Sequence, residues 1–177
     1  NYDTIIVHHS QYKEGNIVIN KRIFMLGEGW PVLDGQHKYE VVSIKADSVV
    51  FSGFQIQNSG FASLNDPGGI KVYDGVGVII ENNIIKKNRY GIAVAGGNGN
   101  YYINNNIIDS NNIQGNPVLG GSGINFNGTA TQVSIVTRNI IRGNLWGITI
   151  QGTAKPNMGN LSNSDTTDVG LNQMYNN

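Results

Sequence analysis

The residue types best suited to chemistry gather in one short turn. Lys86, Lys87, Arg89 and Tyr90 stand within six residues of each other in IIKKNRYGI. Cations beside a phenol ring suit an acidic sugar, because ammonium and guanidinium groups neutralise a carboxylate while the aromatic face stacks on a pyranose ring. Trp146, in NLWGI, holds the matching turn position two units later and extends the platform. Lys71 and Tyr73, in GIKVYD, add a further cation and phenol. The alternative is a solvated turn in which Tyr90 and Trp146 serve packing. No residue is assigned a catalytic role.

Carboxylates carry less. A glycosidase needs two or three of them around the scissile bond, and Asp66, Asp74 and Asp109 can meet only if the loops holding them fold over. No Asp-Asp or Gly-His-Gly run occurs. A polysaccharide lyase needs converging acids for Ca²⁺, or clustered cations with a base. The outward positions are mainly Ala, Asn, Thr and Gln, with Lys71 as their one cation. His8 and His9 are adjacent on a strand and point to opposite faces, so with His37 they make a poor metal set. Asp165 and Asp168 lie in an Asn/Ser/Thr-rich tail that reads as a polar loop rather than a Ca²⁺ site. No metal or other cofactor is expected.

The elements that position these residues are repeats. Val78–Val94 (VIIENNIIKKNRYGIAV) holds a branched apolar run, a double Asn, a second apolar pair, a polar turn and Gly-Ile-x-Val. Tyr101–Asn106 and Val133–Asn139 restart the pattern, and Gly-Ile or Gly-Ile-like elements begin at Gly69, Gly91, Gly123 and Gly147, spaced 22, 32 and 24 residues apart. Short strands at such a period define a solenoid. The expected fold is all-β: a single-stranded, right-handed parallel β-helix of about six to seven coils, its hand following the general rule for parallel crossovers.

Period-two alternation sends Ile70/Val72, Ile92/Val94, Ile124/Phe126 and Ile148/Ile150 inward. Lys71, Ala93, Asn125 and Thr149 then face out, as do Tyr73, Ala95, Asn127 and Gln151. Coils stack about 4.8 Å apart. Asn83, Asn106 and Asn139 fall in one column and are predicted to form an amide ladder. Aligning Val133 as well as Asn139 requires a bulge. Two long loops, Gln57–Gly68 and Asp109–Ser122, leave the same corner on either side of the plain turn Lys86–Tyr90. They are expected to wall a cleft with that turn as its floor.

Composition sets the outer limits. The 177 residues form one domain, with 24 Gly, no Cys, only 14% charged residues and zero formal net charge. Gly and Asn tolerate left-handed backbone and suit a turn-rich β protein. Zero net charge argues against nucleic-acid binding through a cationic field. No apolar run approaches the roughly 18 residues of a membrane span. Residues 1–20 read as an N-terminal cap around Tyr2–Ile6, and 153–177 as a polar tail or the opening of a further coil. The open edge there calls for a protein partner or further chain.

The runs YKEGNIVINKRIFMLGEGWPVLDG and IKADSVVFSGFQIQNSG, followed by the GI…NN…N..GI repeats, resemble the NosD-like group of the carbohydrate-binding and sugar-hydrolase-like (pectin lyase-like) β-helices. The likeness covers roughly residues 3–110 and is clearest at Gly27–Gly35 and Gly53–Gly60. It implies an extracytoplasmic location: periplasmic, cell-surface or secreted. The expected function is a non-catalytic β-helix that binds or presents polysaccharide as part of a longer protein or assembly. The alternatives are a NosD-like accessory scaffold for copper-enzyme maturation and a polysaccharide lyase acting on acidic glycans.

Overall fold

In a computed structural model, residues 3–61, 67–96, 98–116, 118–160 and 169–177 are described. Their strands run coil by coil. The first coil holds β1 (Asp3–Val7), β2 (Gln11–Tyr12) and β3 (Ile17–Ile19); the second β4 (Ile23–Gly27), β5 (Val32–Asp34) and β6 (Val42–Ile44). The third holds β7 (Val50–Ser52), β8 (Gln55–Gln57) and β9 (Ile70–Val72); the fourth β10 (Val78–Glu81), β11 (Ile84–Lys86) and β12 (Ile92–Val94). The fifth holds β13 (Asn100–Asn104), β14 (Ile107–Asp109) and β15 (Ser122–Gly128); the sixth β16 (Val133–Thr137), β17 (Ile140–Arg142) and β18 (Trp146–Gly152). β19 (Gln173–Tyr175) begins a seventh.

Each coil gives one strand to each of three parallel sheets, of six, seven and six strands. The molecule is a right-handed parallel β-helix. Among the described residues no helix is long and apolar enough to cross a membrane.

Inward positions carry branched or aromatic side chains because stacked coils place like over like. Leu33, Ile56, Ile85, Ile108 and Ile141 form the second sheet's inner column, and all are buried. Ile70/Val72, Ile92/Val94 and Ile124/Phe126 line the third sheet's inner face with no exposed surface. The pattern opens at the end of the helix, where Ile148 is half-buried and Ile150 is 49% exposed.

Asparagines hold the corners. Asn106 Oδ1 accepts from both the backbone N–H and the side-chain amide of Asn83, at 3.0 and 3.1 Å. Asn139 does the same for Asn106, and Asn172 for Asn139. The predicted ladder exists and runs one rung further. A second ladder, which the sequence reading did not include, runs through Asn88, Asn111, Asn144 and Asn177. Its members follow the first ladder's at a constant interval of five residues, so the signal was present in the sequence.

The Gly-Ile starts have a physical cause. A Cβ on Gly123 would stand 2.7 Å from the Gly147 carbonyl oxygen and 2.9 Å from the Asn144 amide nitrogen. Coils approach too closely there for any side chain.

Two expectations need adjustment, and a third resolves between its alternatives. No bulge precedes Asn139: Tyr101 pairs in register with Ser134, and Val133 falls opposite Asn100. Ser134 takes the inward place beside the bulky Tyr101, so Val133 turns out and is 51% exposed. From Asp3 onward the N-terminal segment is itself the first coil, each of its strands pairing with the second coil; Tyr2 lies outside the described residues. The tail opens a further coil, since β19 pairs with β17 and both ladders reach it; residues 161–168 lie outside the described residues.

Candidate functional site

The third sheet's outer face carries three columns. Parallel register aligns Ser43, Lys71, Ala93, Asn125 and Thr149. Two residues on, Lys45, Tyr73, Ala95, Asn127 and Gln151 stand in line. On the other flank come Glu40, Gly68, Tyr90, Ser122 and Trp146. The alanines leave a hollow in the middle, of about 240 Å³. Lys71 lies at one end and Asn125, Asn127 and Gln151 at the other. A smaller hollow continues past Tyr90 and Ser122 to Trp146 and Thr149.

One wall is the loop between β14 and β15. Its Val118 and Leu119 line the hollow opposite Tyr90. The loop is pinned from below, where the Arg89 Nε donates to the Leu119 carbonyl at 2.6 Å and the Gly121 N–H donates to the Arg89 carbonyl at 2.8 Å. The Tyr90 hydroxyl reaches the same Leu119 oxygen at 3.3 Å. The wall explains why Ala93 and Asn125, although outward, are only 6% and 8% exposed. Asn125 donates to the Thr149 hydroxyl at 2.7 Å, which Ser122 also meets at 2.8 Å.

Beyond Lys71 the groove ends on an acid. Glu40 is buried, and its carboxylate accepts from the Ser43 hydroxyl and, at 3.2 Å, from the Tyr73 hydroxyl. The Lys71 ammonium stands 4.0 Å away. Lys45 and Lys71 lie over the Tyr73 ring at 4.6 and 4.8 Å. Burial pushes the Glu40 carboxyl above its usual range, against the Ser43 hydrogen bond and the charges of the lysines. The Tyr73 hydroxyl is likewise raised, by burial and then by the Glu40 charge.

Lys71, Arg89, Tyr90 and Trp146 therefore meet along one groove, with Tyr73 beside Lys71. Lys86 and Lys87 do not line it. Lys86 is aligned with Gln57 and Asp109 on the outer face of the second sheet, and Lys87 is exposed on a left-handed turn residue (φ 54°). The corner is responsible: Asn88 turns inward as a ladder rung, so residues before it belong to one face and those after it to the next. The floor is the sheet itself, not the Lys86–Tyr90 turn.

Asp109 is held by Arg142 at 2.9 Å on the second sheet and Asp74 is exposed at another corner, so these two do not converge; Asp66, Asp165 and Asp168 lie outside the described residues. His8 meets Glu28 at 3.1 Å while His9 meets the Gly29 carbonyl at 2.6 Å, and His37 stands edge-on to Phe61. Among the described residues no group of three potential metal ligands occurs. Glu40 was missed because Val41 stands where later units carry Gly, which hid that unit from the Gly-Ile alignment.

Fold and groove together define a parallel β-helix with an amide- and aromatic-lined surface groove. The chain belongs to a family described as protein of unknown function (DUF1565), whose model matches residues 11–177. No curated protein and no solved structure gives a significant match.

Proposed function

We propose that the chain is an extracytoplasmic, non-catalytic β-helix that binds an acidic oligosaccharide in the groove of its third sheet. The observation that carries this reading is the grouping of two aromatic rings, Tyr90 and Trp146, with the amides of Asn125, Asn127 and Gln151 and the cation Lys71. Rings stack on sugars, amides match hydroxyl pairs, and a cation takes a carboxylate. Tyr90 and Trp146 are two coil steps apart, about 10 Å. An extended sugar chain advances by about one ring per coil, so alternate rings of one chain meet the two aromatics.

The test is binding of oligogalacturonate followed by calorimetry. Trp146→Ala is expected to weaken binding about tenfold or more, without loss of stability because Trp146 is 47% exposed. Unchanged affinity would remove the groove from consideration. A glycan array separates this reading from a NosD-like scaffold acting through protein partners.

A second reading rests on Glu40. A raised carboxyl within reach of Tyr73 and Lys71 at the groove's end offers acid–base chemistry, as a lyase acting on acidic glycans requires. Ultraviolet absorbance from an unsaturated product, lost in Tyr73→Phe, decides it. We further propose that a protein partner or further chain covers the C-terminal coil edge, where Met174, in register with the buried Ile141, is 51% exposed.

A further inference from the structure

A different face of the helix carries a second set of ring-binding features. Trp30 closes the turn between β4 and β5 with φ 60°. A bulky residue in the left-handed region is an outlier. Here it also precedes Pro31, which itself restricts the residue before it to extended backbone. Strain of this kind persists only where surrounding structure over-determines it, and it gathers at ligand sites. The indole gains little packing in return, being 45% exposed.

The surroundings suit a ligand. Trp30 heads a column of left-handed turn residues that continues through Gly53, Asn82, Asn105 and Arg138. Next to it, Gly53 has no side chain, and a Cβ there would stand 2.5 Å from the Gly27 oxygen. The close approach of the Gly27 backbone is what keeps a side chain out at that position. A shallow cavity of about 430 Å³ runs from Trp30 along Asn82 and Asn105 to Arg138, floored by Ile107 and Ile140. The amides are oriented: Asn105 donates to Asn82 at 2.6 Å, and Asn82 donates to Ser52 at 3.2 Å. Arg138 is exposed and makes no ion pair among the described residues.

We infer that this corner is a second saccharide site, which takes an uncharged oligosaccharide laid along the helix axis. A pyranose has an apolar C–H face for the indole and for the isoleucine floor. Its vicinal hydroxyls both donate and accept, as do the side-chain amides of Asn82 and Asn105. Four coil steps separate Trp30 from Arg138, about 19 Å, the length of several rings. The single cation stands at the far end, so the ring over the indole is a neutral one. The site lies at the corner between the first and second sheets, away from the third-sheet groove, and does not depend on that groove binding anything.

Trp30 and Trp146 are the two tryptophans of the chain, one at each site. A microarray of neutral oligosaccharides probed with wild-type protein, Trp146→Ala, Trp30→Ala and Trp30→Gly tests the inference. Neutral glycans retained by wild type and Trp146→Ala are expected to be lost about tenfold or more in both Trp30 variants. In Trp146→Phe, whose emission comes from Trp30 alone, the strongest array ligand is expected to give a saturable fluorescence change, weakened severalfold by adding Asn105→Ala. Trp30→Gly relieves the left-handed backbone, so its Tm is expected to be unchanged or raised. Absence of neutral-glycan binding in wild type overturns the inference, as does unchanged binding in the Trp30 variants. A clear fall in Tm for Trp30→Gly also overturns it, since the indole would then be a packing residue.

Discussion

Asn106 shows how much structure one side chain carries. Its Oδ1 accepts from the backbone and amide of Asn83, and its own amide donates to Ile80 O and Asn139 Oδ1. Asn106→Ala leaves these buried partners unmatched, at about 1–3 kcal/mol each for the orphaned groups. A loss of about 3 kcal/mol or more is expected in urea unfolding. Asp34 makes the pH counterpart. Burial raises its carboxyl, but bonds from the Gln36 backbone and the Gln57, Asn58 and Gln11 side chains outweigh this and hold it below the usual range. With a depressed folded value, the stability it contributes is present above its unfolded pKa of about 3.9 and is lost as pH falls through the folded one. Asp34→Asn is expected to shrink that acid-side loss in unfolding midpoints measured on descending pH. Glu40 has the opposite sign. Its folded value is raised, so its contribution is complete below an unfolded pKa of about 4.3 and is lost as pH rises through the folded one.

At the scale of elements, two features shape the groove. The first is the glycine column at the start of the third-sheet strands. Gly91→Ala would push a methyl group against the Gly123 carbonyl and the Asn111 amide. The two coils must part or the ladder must shift, and a cost of about 2–4 kcal/mol is expected by chemical denaturation. The second is the pinned loop between β14 and β15. Arg89 is 4% exposed, and its side chain serves the loop rather than the solvent. Arg89→Ala removes a charge-assisted hydrogen bond worth about 1.5–3 kcal/mol. Hydrogen exchange at the Ile113 and Leu119 amides is expected to quicken, while β12 and β15 keep their protection.

At the scale of the whole molecule, the 177-residue chain taken by itself, without a covering partner or further chain, should lose stability toward its first and last coils. A solenoid is held by contacts between neighbouring coils, and terminal coils have only one neighbour. Ile5 at one end is 42% exposed; Ile150 and Met174 at the other are 49% and 51% exposed, although their register partners further in are buried. Amide exchange is expected to be slowest in the third to fifth coils and fastest in β1 and β19.

The sequence alone determined the solenoid, its inward columns, the first Asn ladder and the corner from which the long loops leave. These follow from local rules that repeat: alternation sets which side faces in, and stacking places like over like. The second ladder was equally legible, because Asn88, Asn111 and Asn144 keep a constant distance from their first-ladder partners. What only the tertiary structure decided is which side chains meet. Lys86 and Arg89 are three residues apart, yet the inward turn at Asn88 puts them on different faces of the helix. Glu40 and Lys71 are far apart in the chain, yet one coil step brings them to 4.0 Å. Proximity across coils depends on how many residues each corner absorbs, and that number is set by three-dimensional closure of each turn, not by the pattern along the strand.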